Sequence, residues 1–138
     1  MTRDDLLAFA RSHRLAVVAS TSPAGVPAAA VVGIAVSEDF ELIFDTLGTT
    51  RKAINLRANP RVAVAVGWDE CTLQIDGIAD EPEGDEFGRI KAIYFAAFPD
   101  GPERQTWPDI TWFRVRPLLL RYSDFRVTPP VKVTLAVD

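Results

Sequence analysis

The chain has 138 residues, of which 48% are hydrophobic and 25% are charged, a composition typical of a folded globular protein. This length suits one hydrophobic core, so the sequence predicts a single domain over residues 1–138. The net charge of −4 argues against a nucleic-acid-binding protein. The single cysteine, Cys71, cannot form an intrachain disulfide and fits a reducing compartment.

The N-terminus shows no signal-peptide core, and no apolar run reaches membrane-spanning length. The sequence therefore predicts a cytoplasmic protein that does not bind membranes.

Apolar periodicity predicts helices and strands joined by short connections. Thr2 is placed to cap a first helix, and the Asn59-Pro60 pair ends a second helix that begins at Arg51. Acidic residues at 83–86 open a third helix, and 99–108 is a proline-rich loop. The predicted strands are 15–20, 28–36, 40–44, a segment 62–68 buried on both faces, 71–80, one strand or a pair around Pro117, and an edge or docking strand in the tail 128–138. Consecutive strands with short connections favour an antiparallel barrel.

The start of the second helix has an unusual charge. A helix N-terminus carries partial positive charge and unpaired N–H groups, and acidic residues normally occupy it. Here Arg51 and Lys52 occupy it, after Thr49 and Thr50. An anion bound between backbone donors, hydroxyls and two cations would resolve the conflict, so the segment predicts a phosphate site. The alternative is that both side chains extend into solvent.

Several pieces follow one another in a fixed order: the turn 22–27, the segments 42–46 and 50–53, Asn59-Pro60-Arg61, and the strand 73–79. In this order they resemble the pyridoxamine 5′-phosphate oxidase-like, FMN-binding split-barrel family. The resemblance implies a mainly β fold with flanking helices, arranged as an antiparallel split barrel. It also implies FMN as cofactor, a homodimer with two flavins at its interface, and an oxidoreductase acting on a small organic substrate.

The resemblance also implies site residues. A cluster of a hydroxyl, an Arg and a Lys binds the FMN phosphate in this family, and Thr50, Arg51 and Lys52 match it. Thr46 would lie beside the phosphate or the ring edge. The second strand, with Ala30 and Val31, would run along the isoalloxazine. The remaining matches are Gln74, which would reach the flavin from the other subunit, and Trp112 with Arg114, which lie where late-strand residues of the partner would approach the ring.

The sequence departs from the pyridoxal-forming oxidases in two places. Their second strand carries an Arg and a Lys, whereas this one reads Ala28-Ala29-Ala30-Val31-Val32-Gly33, and their C-terminal arginine motif has no equivalent here. Vitamin B6 oxidation is therefore not expected. A reductase using the deazaflavin F420, with Arg57 and Arg61 at its acidic tail, and a non-enzymatic flavin-binding module remain alternatives.

Structural or solvent-exposed roles are alternatives to several of these site assignments. Gln74 on a polar strand face is more often solvated, and tryptophans such as Trp112 more often pack in a core or a dimer interface. The only histidine, His13, follows the first helix, where a capping or surface role is favoured over catalysis or haem ligation. No Cys/His cluster indicates a metal site.

Overall fold

Eight antiparallel strands form one sheet in the computed structural model, which describes residues 1–137. The sheet curls into a half-barrel, the split-barrel fold expected from the sequence. The hydrogen-bonded order is β2-β1-β5-β6-β7-β4-β3, and β8 pairs with β7. The strands are β1 Leu15–Thr21, β2 Pro27–Gly33, β3 Ala35–Val36, β4 Leu42–Leu47, β5 Arg61–Val66, β6 Cys71–Asp80, β7 Ile110–Asp124 and β8 Val131–Ala136.

Three α-helices flank the sheet: α1 Arg3–Arg11, α2 Arg51–Ala58 and α3 Gly84–Ala97. Thr2 caps α1 as predicted, and it forms the reciprocal hydrogen bonds of a capping box with Asp5. Asp85 and Glu86 lie in the first turn of α3, also as expected. No helix within residues 1–137 is long and apolar enough to cross a membrane.

Two packed clusters hold these elements together. The interior of the half-barrel is filled by one face of the strands, where Val18, Phe44, Val64 and Phe113 are almost fully buried. A smaller cluster lies on the opposite face of β4 and β7, beneath α3. Strand side chains alternate between faces, so β4 and β7 contribute neighbouring residues to both clusters.

Two strand boundaries and the burial of one strand differ from the sequence prediction. The predicted strand 28–36 divides at Ile34, because β2 pairs with β1 whereas β3 pairs with β4. Phe40 has a φ of 63° and belongs to the turn, so the next strand begins at Leu42. In β5, Val62 and Val64 are buried but Ala63 is exposed. The prediction that this strand is buried on both faces is therefore wrong for the single chain.

The end of the chain resolves two alternatives left open by the sequence. β7 is one strand that continues through Pro117. A register shift between Asp76 and Gly77 of β6 leaves Leu118 without a partner, which is a β-bulge and explains how a proline fits inside a paired strand. The tail forms β8, an edge strand. The proline-rich loop contains a short 3₁₀ helix, Gly101–Thr106.

A network of charged residues attaches α3 to the sheet. Arg114 of β7 is only 3% exposed and binds Asp80 of β6 through two hydrogen bonds of 3.0 and 2.6 Å. It also donates to Glu86 of α3 at 2.7 Å and to Glu41 at 3.2 Å. Arg89 of α3 forms a bidentate pair with Glu41, at 2.9 and 2.7 Å. Removing one partner of such a buried network leaves an uncompensated charge.

Glu41 gives the network a defined pH dependence. The Arg89 hydrogen bonds lower the pKa of Glu41 from 4.5 to about 2, against the opposing effect of burial. A folded-state pKa below the unfolded value stabilises the protein above pH 4.5, and this contribution is lost as the pH falls towards 2.

We expect Glu41→Gln to flatten the acid side of the stability profile. Urea unfolding between pH 5 and pH 2 should show that the wild type loses up to about 3 kcal/mol more than the variant over this range. At pH 7 the variant should be the less stable protein, because Arg114 loses a partner. Glu38→Gln, an exposed residue of the same turn, is the control and should follow the wild type. Parallel profiles for wild type and Glu41→Gln would contradict the prediction.

Candidate functional site

Threonine hydroxyls build the start of α2. Thr50 is the N-cap residue: its Oγ1 accepts a hydrogen bond from the Ala53 N–H at 3.3 Å and donates to the Leu47 carbonyl at 2.9 Å. The Oγ1 atoms of Thr46 and Thr50 lie 3.0 Å apart. The end of β4 and the beginning of α2 are therefore joined by Thr46 and Thr50, two residues that the sequence analysis assigned to the candidate site.

The two cations at this helix start remain uncompensated. No acidic residue occupies the first turn of α2. The neighbouring carboxylates are already paired, Glu81 with Arg57 and Asp45 with Arg104, and within residues 1–137 neither Arg51 nor Lys52 has an ion-pair partner. Burial lowers the pKa of Lys52, and the negative charge of Asp45 partly opposes this effect. A partly buried ammonium without a partner is the electrostatic feature that an anionic ligand would relieve.

A cavity of about 300 Å³ opens at this point. It is lined by Thr50, Arg51 and Lys52 on one side and by Val18 with residues 28–30 of the first two strands on the other. Four of the residues singled out from the sequence thus share one cavity: Ala30, Thr50, Arg51 and Lys52. Thr46 lies next to it through its contact with Thr50.

Val31 and Gln74 lie on the other face of the sheet. The register aligns Val31, Val17, Ala65 and Gln74 across four neighbouring strands. Strand alternation directs this row away from the barrel interior, and Val31 is 62% exposed. Neither side chain reaches the cavity beside α2 of its own chain.

Trp112 does not join the site in this chain. Trp112 of β7 lies opposite Asp45 of β4 in the strand register, on the α3 side of the sheet. Its side chain is 3% exposed, and its ring contacts Phe87 and Phe95. Its indole Nε1 has no hydrogen-bond partner among the described residues. This placement corresponds to the packing role that was the alternative for Trp112. Arg114, its loosely matched companion, is engaged in the network beneath α3.

One group near the site escaped sequence reasoning. Asp45 accepts hydrogen bonds from Tyr94 at 3.0 Å and from Arg104 at 2.7 Å, and Arg104 also reaches the Tyr94 hydroxyl at 3.2 Å. Burial, with the Asp45 charge, raises the pKa of Tyr94, so the phenol stays protonated. No sequence signal linked these residues, because Arg104 lies 59 positions after Asp45.

The other candidates are accounted for by structural roles. Arg57 binds Glu81 through two hydrogen bonds of 2.7 and 2.8 Å, and the Gly48 carbonyl at 3.1 Å. Binding an acidic F420 tail would therefore compete with an existing ion pair. His13 Nδ1 lies 2.8 Å from the Phe9 carbonyl in the last turn of α1, the capping role expected. No metal-ligating cluster occurs within residues 1–137.

Comparison with known proteins identifies the family. The profile described as pyridoxamine 5′-phosphate oxidase matches residues 2–124. The chain belongs to this family. No functionally curated protein matches the sequence.

Solved structures share the fold at low sequence identity. A haem-binding protein from Mycobacterium smegmatis has a TM-score of 0.80 at 18% identity; the match covers 93% of this chain but only 55% of the mycobacterial one. The haem storage protein HutZ from Vibrio cholerae has a TM-score of 0.72 at 19% identity, with 83% and 89% covered. A pyridoxamine 5′-phosphate oxidase-related, FMN-binding protein from Nostoc punctiforme has a TM-score of 0.74 at 13% identity, with 99% and 96% covered. Such identities establish the fold alone.

We expect Thr50→Ala to destabilise the protein by about 1 kcal/mol, the usual cost of removing an N-cap side chain. Thr50→Ser retains the hydroxyl and is the matched control. Urea unfolding of the three proteins measures the difference. Equal stability of the Ala and Ser variants would show that the hydroxyl does not hold the helix start.

Proposed function

We propose that the chain binds FMN and acts as a flavin-dependent oxidoreductase on a small organic substrate, as a homodimer with the cofactor at the subunit interface. The observation that carries the proposal is the cavity shared by Thr50, two unpaired cations and the second strand. Phosphate recognition at a helix start needs backbone donors, a hydroxyl and positive charge, and α2 supplies all three. Family membership and the FMN-binding relative from Nostoc support the choice of cofactor.

The residues present fit the phosphate end of the cofactor. Arg51 and Lys52 would hold the phosphate, and Thr46 and Thr50 would place hydroxyls beside it. A cavity of about 300 Å³ is at the lower limit for a ligand of this size, so one chain encloses only part of the cofactor. The rest of the site then requires a second copy, which agrees with the placement of Gln74 on the outer face.

When bound, FMN supplies the electron or hydride transfer. The protein's own contribution would be position and electrostatics. Arg51 and Lys52 anchor one end of the cofactor, and the alanines at 28–30 allow a flat body to approach the strand closely. Arg104 and Tyr94 bind Asp45, which keeps its carboxylate from pairing with Lys52.

The dimer proposal rests on the outer face of β1, β2, β5 and β6. Ala29, Val31 and Ala63 are exposed there. The row that contains Val31 ends at Gln74, and the neighbouring row that contains Ala29 and Ala63 ends at Asp76. Large exposed apolar faces are typical of contact surfaces. A second copy covering this face would bury it and bring each Gln74 towards the partner's cofactor.

We expect the double variant Arg51→Met/Lys52→Met to bind FMN at least about a hundredfold more weakly than the wild type, because two charge-assisted contacts are lost. Flavin fluorescence quenching during titration of the apoprotein gives the affinity. Arg11→Met/Arg14→Met removes the same charge elsewhere and should leave the affinity unchanged. Unchanged FMN binding in the first variant would overturn the phosphate site.

The same titrations separate the alternatives. Tight binding of F420 without FMN binding would assign the chain to deazaflavin chemistry. A Soret band on haem addition, with no flavin bound, would align it with the haem-binding relatives. Bound FMN without turnover of NADH or NADPH would favour a flavin-binding module over an enzyme.

We expect Ala63→Arg to convert the dimer into a monomer and to weaken FMN binding in parallel. The side chain of Ala63 is exposed in the single chain, so the arginine should leave the fold intact, whereas two copies would bring bulk and like charges together. Light scattering coupled to size exclusion measures the mass. Val127→Arg, at an exposed loop position, is the control. A dimer that survives Ala63→Arg would place the interface elsewhere.

A further inference from the structure

A second cavity lies away from the α2 site. It has a volume of about 680 Å³ and occupies the groove between α1 and α3, with β3 as its floor. Ala35, the β3 residue on the α3 side of the sheet, forms an apolar floor, and Ile93 and Ala97 form an apolar wall. The side chains of Ile34 and Val36 line the cavity from the barrel side and are almost fully buried. This volume is in the range of small-molecule binding pockets. The proposed cofactor chemistry makes no use of it.

Two arginines without carboxylate partners lie at one end of the groove. Arg14 places its guanidinium carbon 4.8 Å from the centroid of the Phe98 ring, and its backbone carbonyl accepts a hydrogen bond from Ile34 at 2.9 Å. Arg11 ends α1 and lines the same cavity. Within residues 1–137 neither side chain forms an ion pair, whereas Arg89 at the opposite wall is bound by Glu41 and Glu86.

The contact with Phe98 prepares Arg14 for carboxylate binding. An aromatic ring supports the face of the guanidinium and leaves the N–H groups at its edge free. Those groups match the two oxygens of a carboxylate in a bidentate arrangement. Phe98 itself is fixed by stacking on Tyr94, with ring centroids 4.8 Å apart. The arginine therefore has a rigid support beside an apolar floor.

Acidic residues mark the other end. Glu38 and Asp39 follow β3 in the turn, line the cavity and have no ion-pair partner in the described part of the chain. The segment from Ile34 to Ser37 spans roughly 10 Å before the turn that carries Glu38 and Asp39, so the acids and Arg14 lie at opposite ends of the floor. A second negative group on a ligand would meet repulsion there.

We propose that this groove is a second ligand site, which binds aliphatic monocarboxylates. The carboxylate pairs with Arg14 and Arg11, and the hydrocarbon chain lies along Ala35 of β3 against Ile93 and Ala97 of α3. Glu38 and Asp39 select against dicarboxylates of similar length. The site lies on different elements from the α2 cavity and does not require bound FMN.

Decanoate and decanedioate test the site and its selectivity. Isothermal titration of the wild-type protein should detect decanoate, with decanedioate binding roughly tenfold more weakly. Backbone NMR shifts should concentrate at 34–36 and at the end of α3. Glu38→Gln/Asp39→Asn should remove most of the discrimination. No decanoate binding, equal binding of both acids by the wild type, or shifts centred on α2 would overturn the proposal.

Paired variants separate this site from the cofactor site. Arg11→Met/Arg14→Met should weaken decanoate binding at least tenfold while FMN binding persists, and Arg51→Met/Lys52→Met should show the reverse pattern. Ala97→Leu fills the groove at an exposed helix position where leucine is well tolerated, and should abolish decanoate binding without loss of stability. Displacement of decanoate by FMN, or unchanged decanoate binding in the Arg11/Arg14 and Ala97 variants, would overturn the assignment.

Discussion

The contact between the hydroxyls of Thr46 and Thr50 determines where the cations of this protein are presented. The two Oγ1 atoms are 3.0 Å apart and join the end of β4 to the N-cap of α2, so the strand sets the direction of the helix. Arg51 and Lys52 follow immediately and project beside the second strand. If the helix began one residue later, the side chains would rotate by about 100° and leave the cavity.

Charge is distributed around this helix start in a consistent way. Two nearby carboxylates are each paired with an arginine: Glu81 with Arg57, and Asp45 with Arg104. The cations at the first turn are thereby left for a ligand. The 3₁₀ segment that carries Arg104 is far from the site in sequence, yet its arginine neutralises the Asp45 carboxylate beside the site. Pairing of this kind contributes to specificity even where its net contribution to stability is small.

The sequence predicted the parts of the structure that depend on local chemistry. The cap of α1, the start and end of α2 and the cation pair at its first turn are all encoded within a few neighbouring positions. Neighbouring positions do not encode three other features: the division at Ile34, the continuation of β7 through Pro117, and the Asp45–Tyr94–Arg104 group. Each results from pairing between distant segments, which single-sequence periodicity does not contain. The exposed Ala63 illustrates the same limit, since its apolar character indicated burial that the single chain does not provide.

β7 divides the barrel into two regions. One of its edges pairs with β6 along most of the strand, whereas the other is shared by β4 at residues 110–115 and β8 at 119–124. The half next to β4 lies beside the helix start, whereas the half next to β8 pairs with the tail and contributes Leu120 and Tyr122 to the core. The family profile ends at residue 124, the last residue of β7. The strands and the helix that form the α2 cavity all lie within the matched residues, so segments beyond residue 124 can differ in length without altering the pairing of β4 with β7.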